Sequence, residues 1–210
     1  MLVNAKCKIC RRVGEKLFLK GERCLLPKCA IVRRPYPPGL KRKKRGRPPS
    51  EYAKELKEKQ KLRNWYNLRE TQFKNYVKGV LKKKGRVKDA PGLLIKLLES
   101  RLDNVIFRLG FTLSRDKARQ LVSHGYFLVN KRALNIPSHQ LKKGDVVSLK
   151  PQKTEKKIVE NFKQLMKKYQ TPNWLKLDKA KLEGEVVGAP TLEEAAPPVE
   201  MSTIFEFYSK

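Results

Sequence analysis

The chain has 210 residues and carries 50 lysines and arginines against 20 aspartates and glutamates, which gives a formal net charge of +30. This length allows one large or two small folded units. A charge of this size drives a chain apart by self-repulsion unless a polyanion neutralises it. The composition therefore argues against an ordinary small-molecule enzyme and favours a nucleic-acid partner, with an anionic membrane surface as the weaker alternative.

The sequence contains no apolar segment of the length that a transmembrane helix needs. Residues 1–20 carry two cysteines and six basic residues, without the apolar region of a secretory signal and without the serines common in transit peptides. We therefore expect a cytoplasmic protein. In that reducing compartment, four cysteines indicate metal or thiol chemistry before disulfides.

The cysteines form two short pairs near the N-terminus. Two residues lie between Cys7 and Cys10, and four lie between Cys24 and Cys29. Two such pairs can supply four thiolates to one tetrahedral ion. A small basic module with little apolar sequence needs a metal cross-link of this kind to fold stably. The spacing predicts a structural zinc site, and the four thiolates would leave no open position for a catalytic water. Free reduced thiols, a redox-cycling pair and an iron–sulfur cluster are the alternatives.

The positive charge is concentrated in residues 1–90, which hold 29 of the basic residues and 7 of the acidic ones. A proline-flanked run at 41–47 cannot fold alone, because like charges repel and proline denies helical hydrogen bonds. We predict an extended arm that lies along phosphates, with a solvated linker or a localisation signal as the alternative. The run contains Lys41, Arg42, Lys43, Lys44, Arg45 and Arg47.

Helices are predicted over 51–67 and 70–84, the first with Ser50 as its N-cap. Their aromatic residues recur at helical spacing and are interpreted as core rather than as platforms for stacked bases. A third amphipathic helix starts at Pro91 and bends around Ser100. Ser114 then caps a shorter helix, which Gly125 ends. The outward faces of these last two helices carry Arg101, Asn104 and Arg108, and then Arg115, Arg119, Gln120 and Ser123.

A hairpin is predicted next, with strands at 126–129 and 133–136 joined by Asn130 and Lys131, and a further strand at 146–149. Residues 99–150 thus form a compact helix-helix-hairpin-strand unit. A helix over 155–169 leads into a tail rich in proline and glutamate. We expect the tail's closing aromatics, Phe205, Phe207 and Tyr208, to pack back on the N-terminal helices.

No catalytic motif is present: the sequence lacks a phosphate-binding glycine loop, a dinucleotide fingerprint and a zinc-protease signature. His139 is interpreted as structural or solvated. His124 lies at a helix end and would be near phosphate if that helix faces RNA. Asp103 is expected to be a surface partner for a nearby basic residue. We predict that the chain has no catalytic residues and takes no small-molecule substrate.

The order of motifs resembles bacterial small-subunit ribosomal proteins of the universal uS-four family, in their cysteine-containing form, over essentially the whole chain. The resemblance includes the N-terminal Cys-Lys-Ile-Cys motif and the C-terminal tail. The motifs most specific to the family lie in residues 99–138. One departure lies in the hairpin turn, where relatives usually have Asn-Gly. Positive φ is less favourable for a lysine than for a glycine, so we expect Lys131 to change the turn type or to lower the stability of the hairpin.

The elements and this resemblance predict an α+β fold, with a mostly helical N-terminal domain that holds the four-cysteine metal knuckle and a small helix-helix-hairpin RNA-binding domain. The expected parts are 1–49 for the metal module and basic arm, and 50–98 for the helical remainder of the N-terminal domain. Residues 99–165 form the small RNA-binding domain, and 166–210 form a C-terminal tail that packs back on the N-terminal domain.

The resemblance implies a primary binder of the 5′ domain of small-subunit ribosomal RNA that nucleates assembly and contributes to translational accuracy. It also implies contact with ribosomal protein uS-five and a position beside the messenger RNA channel, where the message enters. Since A-form RNA hides its major-groove base edges, side chains must read phosphates and shape. The residues expected to bind rRNA are those of the 41–47 arm together with Arg11, Arg12, Arg23, Arg33, Arg34, Arg101, Arg108, Ser114, Arg115, Arg119, Gln120, Ser123, His124, Asn130 and Lys131.

Two other classes of protein share some of these features. An RNA-modifying enzyme with the same RNA-binding module would need a catalytic domain that the residues outside 99–150 do not supply. A zinc-dependent DNA-binding regulator would need a recognition helix and usually a dimer interface, and the sequence indicates neither.

Overall fold

A computed structural model describes residues 5–39, 48–83, 89–153, 162, 166 and 169–209. The chain forms two compact units: Met1–Leu94 together with Pro197–Lys210, and Ile95–Ala196. Residues 166–196, which the sequence analysis placed in the tail, belong to the second unit. The helix predicted over 155–169 lies mostly outside the described residues. Within the described ranges, no helix has both the length and the apolar character to cross a membrane.

The first unit is helical. Ser50 caps α4 as predicted, because its hydroxyl accepts a hydrogen bond from the Ala53 N–H at 3.3 Å. The next helix buries Phe73, Val77 and Val80 at the spacing that the sequence predicted. The helices of this unit are α1 (Lys6–Val13), α2 (Glu22–Leu25), α3 (Ala30–Arg33), α4 (Glu51–Trp65), α5 (Glu70–Leu81) and, at the C-terminus, α10 (Met201–Ser209).

Helix α10 packs on α4 and α5 through its aromatic side chains. The Phe207 ring lies 5.5 Å from the Tyr52 ring, and the Lys59 ammonium lies 4.5 Å from the Phe207 ring centroid. The Tyr208 hydroxyl donates a hydrogen bond to Glu70 at 3.1 Å. The last residues are therefore held by both aromatic and polar contacts.

Glu70 is the electrostatic centre of this contact. Its carboxylate accepts hydrogen bonds from Lys59 at 2.6 Å and from Arg63 at 3.0 Å, besides the one from Tyr208. Burial by itself would raise the pKa of Glu70, but the hydrogen bond and charge of Lys59 and the bonds from Tyr208 and Arg63 lower it overall. Burial raises the pKa of Tyr208, and the charge of Glu70 raises it further.

The second unit begins with a broken helix. The bend predicted at Ser100 is a complete interruption: the Leu102 N–H bonds the His139 carbonyl and the Leu141 N–H bonds the Ser100 carbonyl, both at 2.8 Å. As predicted, Ser114 caps the following helix by accepting from the Lys117 N–H at 3.3 Å. The helices are α6 (Ala90–Glu99), which begins in the first unit, α7 (Leu102–Arg108), α8 (Arg115–Ser123) and α9 (Leu192–Ala195), with a 3-10 turn at Pro151–Lys153.

An antiparallel five-stranded sheet completes this unit, in the order β2-β1-β3-β5-β4. The sequence analysis missed its last two strands, because the Glu-Gly-Glu pattern at 183–185 is typical of a polar tail. Gly184 leaves little room for a side chain there, since a Cβ atom would clash with the side chain of Leu109, which is fully buried. The strands are β1 (Phe127–Val129), β2 (Arg132–Ala133), β3 (Val146–Leu149), β4 (Leu175–Asp178) and β5 (Glu183–Val186).

The hairpin turn keeps positive φ at both central residues, 49° at Asn130 and 66° at Lys131. These values are typical of a type I′ turn, so lysine in place of glycine has not changed the turn type. The Asn130 side chain donates to Asp145 and accepts from the Val146 N–H, both at 2.9 Å. These bonds tie the turn to the start of β3.

We predict that Glu70→Gln lowers the free energy of unfolding by about 0.5–1 kcal/mol at pH 7, a modest effect because the carboxylate is 40% exposed. The folded pKa is depressed, so the contribution is present above the unfolded value of about 4.3 and is lost as pH falls through the lower folded value. Urea unfolding at pH 7 and at acid pH measures both effects. Exposed Glu206→Gln on α10 is the control, and an equal loss for Glu70→Gln at both pH values would contradict the prediction.

Candidate nucleic-acid interface

The N-terminal module brings the four cysteines close together. Cys10, Cys24 and Cys29 are buried and Cys7 is partly exposed, all as free thiols. Burial raises the pKa of Cys10 and of Cys24, and in both cases the neighbouring cysteines raise it further. The Lys20 N–H points at the Cys24 sulfur at 3.4 Å. Adjacent thiolates would therefore repel one another unless a cation lay between them.

The predicted metal knuckle is not supported by the arrangement of these side chains. Among the described residues, which include all four cysteines, no three histidine, cysteine, aspartate or glutamate side chains stand in a metal-holding arrangement.

Beside the cysteines lies a basic cavity of about 230 Å³. It brings together four of the five arginines that the sequence analysis predicted for this module, whereas Arg12 does not line it. Lys28 joins them, and only its place beside Cys29 could have indicated it from the sequence. The residues that line the basic cavity are Arg11, Arg23, Lys28, Ala30, Arg33 and Arg34.

The predicted phosphate-binding arm at 41–47 lies outside the described residues. This applies to Lys41, Arg42, Lys43, Lys44, Arg45 and Arg47. Their role in RNA binding stays a prediction.

In the second unit, a fully buried carboxylate organises the arginines. Glu99, at the end of α6, accepts two hydrogen bonds from the fork of Arg108, at 2.9 and 2.8 Å. Asn104 also donates to Glu99, and its own side-chain oxygen accepts from Arg115 at 2.7 Å. Three helices thus meet around one acidic side chain.

A second carboxylate, Asp103, extends this set. Arg101 is 1% exposed and donates through two nitrogens to Asp103, at 3.0 and 2.7 Å. The Arg119 Nε lies 3.8 Å from the same carboxylate. We call these six residues the arginine cluster: Arg101, Arg108, Arg115, Arg119, Glu99 and Asp103.

The arginine cluster differs from the open row of guanidinium groups that the sequence analysis envisaged. Arg101 is fully buried and Arg115 is 8% exposed, whereas the side chains of Arg108 and Arg119 keep 16% and 19% of their surface. Asp103 is a buried partner and not a surface one. The six residues of the cluster bring four guanidinium groups and two carboxylates together. Sequence reasoning missed Glu99 as the anchor, since only its position shortly before the basic face indicated it.

The other predicted contacts of this unit fall into two groups. Ser114 and Asn130 are occupied by the helix cap and the hairpin turn described above. The more exposed members lie on α8, at its C-terminal end and in the turn: Gln120, Ser123, His124 and Lys131.

A cleft of about 320 Å³ also opens in the second unit. Its floor is mostly apolar, and three lysines stand among its lining residues. The lining comprises Lys96, Ser100, Leu141, Lys142, Lys143, Trp174, Val186, Gly188, Ala189 and Pro190.

Comparison with known families agrees with this two-unit arrangement. Residues 100–147, which hold α7, α8 and the hairpin, match the S4 domain, and residues 2–99 match the ribosomal protein S4/S9 N-terminal domain. The chain is thus an RNA-binding protein of the S4-domain class.

Relatives that match over nearly the whole chain identify the family. The chain is 45% identical over 208 residues to small ribosomal subunit protein uS4 of Thermus thermophilus, covering 99% of this chain and 98% of that protein. It is 46% identical over 207 residues to uS4 of Solidesulfovibrio magneticus, with the same coverage. The chain belongs to the uS4 family of ribosomal proteins, which are structural constituents and not enzymes. This membership decides against both the RNA-modifying enzyme and the DNA-binding regulator.

We predict that Glu99→Gln destabilises the second unit by roughly 3 kcal/mol, because it removes the charge that compensates buried guanidinium groups. Hydrogen exchange followed by peptide measures this unit separately from the other. Glu185→Gln, at an exposed position on β5, is the matched control. Equal protection of residues 95–196 in the two variants would show that Glu99 is not the anchor of the cluster.

Proposed function

We propose that this protein is a primary binder of the 5′ domain of small-subunit rRNA, which nucleates assembly of the small ribosomal subunit in the cytoplasm and contributes to translational accuracy. The observation that carries the proposal is the match to uS4 relatives over 99% of the chain. Family membership makes the chain a structural ribosomal constituent; the particular RNA domain and the roles in assembly and accuracy are what we propose.

The charge distribution supports an RNA partner in both units. The basic cavity of the first unit gathers five cationic side chains. The arginine cluster of the second unit carries more guanidinium groups than carboxylates. RNA phosphates neutralise the net charge of +30 on the chain, and release of their counterions provides much of the binding free energy.

The fixed geometry of the arginines supports selectivity for RNA shape. Glu99 and Asp103 hold Arg108 and Arg119 in place, and both guanidinium groups keep some exposed surface. An arginine that is already oriented loses less conformational entropy on binding a phosphate than a free one does. Arg101 and Arg115 support these neighbours from the interior, and the residues at the end of α8 and in the hairpin turn extend the same proposed surface.

We predict that the purified protein prefers the 5′ domain of small-subunit rRNA over an unrelated structured RNA and a DNA duplex, and that the preference persists at about 200 mM salt. All three polyanions should lose affinity with salt, by about 10³–10⁵ between 50 and 200 mM if 6–10 phosphates are neutralised. The test of the proposal is therefore the ratio of the affinities for the three nucleic acids, and not the salt sensitivity of any one of them. Equal affinity for all three would refute the proposed RNA target.

A single-residue comparison refines this test. Arg119→Ala should reduce the slope of log affinity against log salt by about 1, the value for one phosphate contact. Lys179→Ala, in the exposed turn between β4 and β5, removes the same charge away from the proposed surface. Identical slopes for the two variants would remove Arg119 from the contact surface.

We also propose that Cys7, Cys10, Cys24 and Cys29 bind a structural Zn²⁺ ion. The support is the chemistry of the donors, since cysteine thiolates are ligands that zinc prefers and all four belong to one small module. Burial and then the charges of the neighbouring cysteines raise the pKa of Cys10 and Cys24, and the Lys20 N–H points at the Cys24 sulfur. The bound ion would neutralise the thiolates and cross-link α1 to the segments around α2 and α3. The same ligands would accept an iron–sulfur cluster as the alternative.

We predict that the protein as isolated contains one zinc per chain by elemental analysis, and that Cys24→Ser abolishes this content and lowers the melting temperature. Chelation of the wild type should lower the melting temperature in the same way, because a structural metal contributes directly to folding. Visible absorption with bound iron would identify a cluster instead. Full thermal stability after complete metal removal would contradict a structural role.

We further propose that the protein contacts ribosomal protein uS5. We also propose that it lies beside the channel through which messenger RNA enters. Their support is the family membership together with the cleft of the second unit, whose mostly apolar lining suits a protein neighbour. Cross-linking from Lys142 in reconstituted small subunits tests this, and cross-links to RNA alone would reject a protein contact at the cleft.

A further inference from the structure

Arg11 lies among the predicted RNA-binding arginines, yet its guanidinium is engaged with the protein's own backbone. Its Nε–H is shared between the carbonyl oxygens of Arg34, at 3.1 Å, and Tyr36, at 2.9 Å. An Nη2 donor lies 3.5 Å from the Pro37 carbonyl oxygen. The guanidinium carbon also lies 4.9 Å from the centroid of the Tyr36 ring. This side chain is therefore oriented toward residues 34–37.

Residues 34–37 need such an external donor. Pro35 and Pro37 have no N–H, so the segment cannot fix itself through a regular backbone ladder. Arg34 makes one backbone bond to Ala30 at the end of α3, and beyond it the segment turns away from the helix. The Arg11 fork donates to the carbonyl oxygens of Arg34 and Tyr36 and approaches that of Pro37.

This segment adjoins the basic cavity at its first residue. Arg34 begins the segment and lines the cavity together with Arg23, Lys28 and Arg33. Within the described ranges, none of these four side chains forms an ion pair with a carboxylate. The cavity of about 230 Å³ is several times the volume of a water molecule, about 30 Å³. It therefore has room for a group of several heavy atoms. Its positive charge favours an anion.

We propose that Arg11 is a positioning residue that fixes residues 34–37, so that Arg23, Lys28, Arg33 and Arg34 enclose a binding site for a phosphate group. Guanidinium forks and an ammonium group match the tetrahedral oxygens of a phosphate better than they match an apolar or cationic ligand. The inference rests on the proposed RNA-binding function and deepens it. The phosphate belongs to the RNA backbone, and free inorganic phosphate shares its chemistry.

The discriminating variant is Arg11→Lys in the full-length chain. Lysine keeps the charge but cannot hold several carbonyl oxygens with one planar fork. Affinity for the 5′ domain RNA should fall by about tenfold, or about 1.4 kcal/mol, with the salt slope unchanged. Arg33→Ala, which removes a contact, should lower the slope by about 1. Lys8→Arg, a charge-preserving change at an exposed position on the same helix and outside the cavity lining, should bind like the wild type.

Inorganic phosphate provides a second readout at constant ionic strength. Phosphate should displace RNA from the wild type more effectively than chloride does, and Arg11→Lys should lose this difference. Equal displacement by the two anions from the wild type would overturn the phosphate site. Melting temperature and zinc content must match those of the wild type, so that a loss of affinity is not a loss of folding.

The outcomes separate this inference from the proposed function. If the wild type prefers ribosomal RNA and Arg11→Lys binds with wild-type affinity, the positioning role is wrong and the proposed function stands. If the wild type shows no preference for ribosomal RNA, the proposed function is wrong whatever the variants do.

Discussion

A buried carboxylate shared between cations is the interaction on which the second unit depends. Glu99 is fully buried at the end of α6, and it holds Arg108 directly and Arg115 through Asn104. A buried charge is costly unless it is paired and fully hydrogen-bonded. Here the pairing also fixes the relative positions of α6, α7 and α8. The same contact that makes burial of charge tolerable thus orients the arginines on which the proposed RNA surface depends.

The first unit uses the same arrangement with less burial. Glu70 is shared by Lys59 and Arg63, and Tyr208 completes its hydrogen bonds. Glu15 pairs with the buried Lys61 at 2.7 Å. In a chain with 20 acidic residues and 50 basic ones, a carboxylate that joins two cations, as Glu70 does, reduces the repulsion between them. The excess positive charge is left on surfaces such as the basic cavity, where a polyanion can neutralise it.

Positioned cations distinguish shape-selective binding from simple attraction to negative charge. A mobile lysine or arginine attracts any polyanion, and it loses side-chain entropy when it binds. Arg11, held by backbone carbonyls, and Arg119, held near Asp103, have already lost much of that freedom in the free protein. The proposed function therefore depends on contacts that are internal to the protein, and variants that preserve charge but alter geometry are the informative ones.

Elements that depend on local chemistry could be predicted from the sequence: the caps at Ser50 and Ser114, the break at Ser100 and the strand at 146–149. The resemblance to the uS4 family and the concentration of charge near the N-terminus could be predicted as well. The burial of Arg101 and Arg115, their anchoring by Glu99 and the addition of β4 and β5 to the sheet became visible in the folded chain. The reason is physical: helical spacing shows which residues share a face, but the partner of a charged face and the pairing of a polar strand depend on segments distant in sequence. Arg11 illustrates the limit, because its carbonyl partners lie 23 to 26 residues away along the chain.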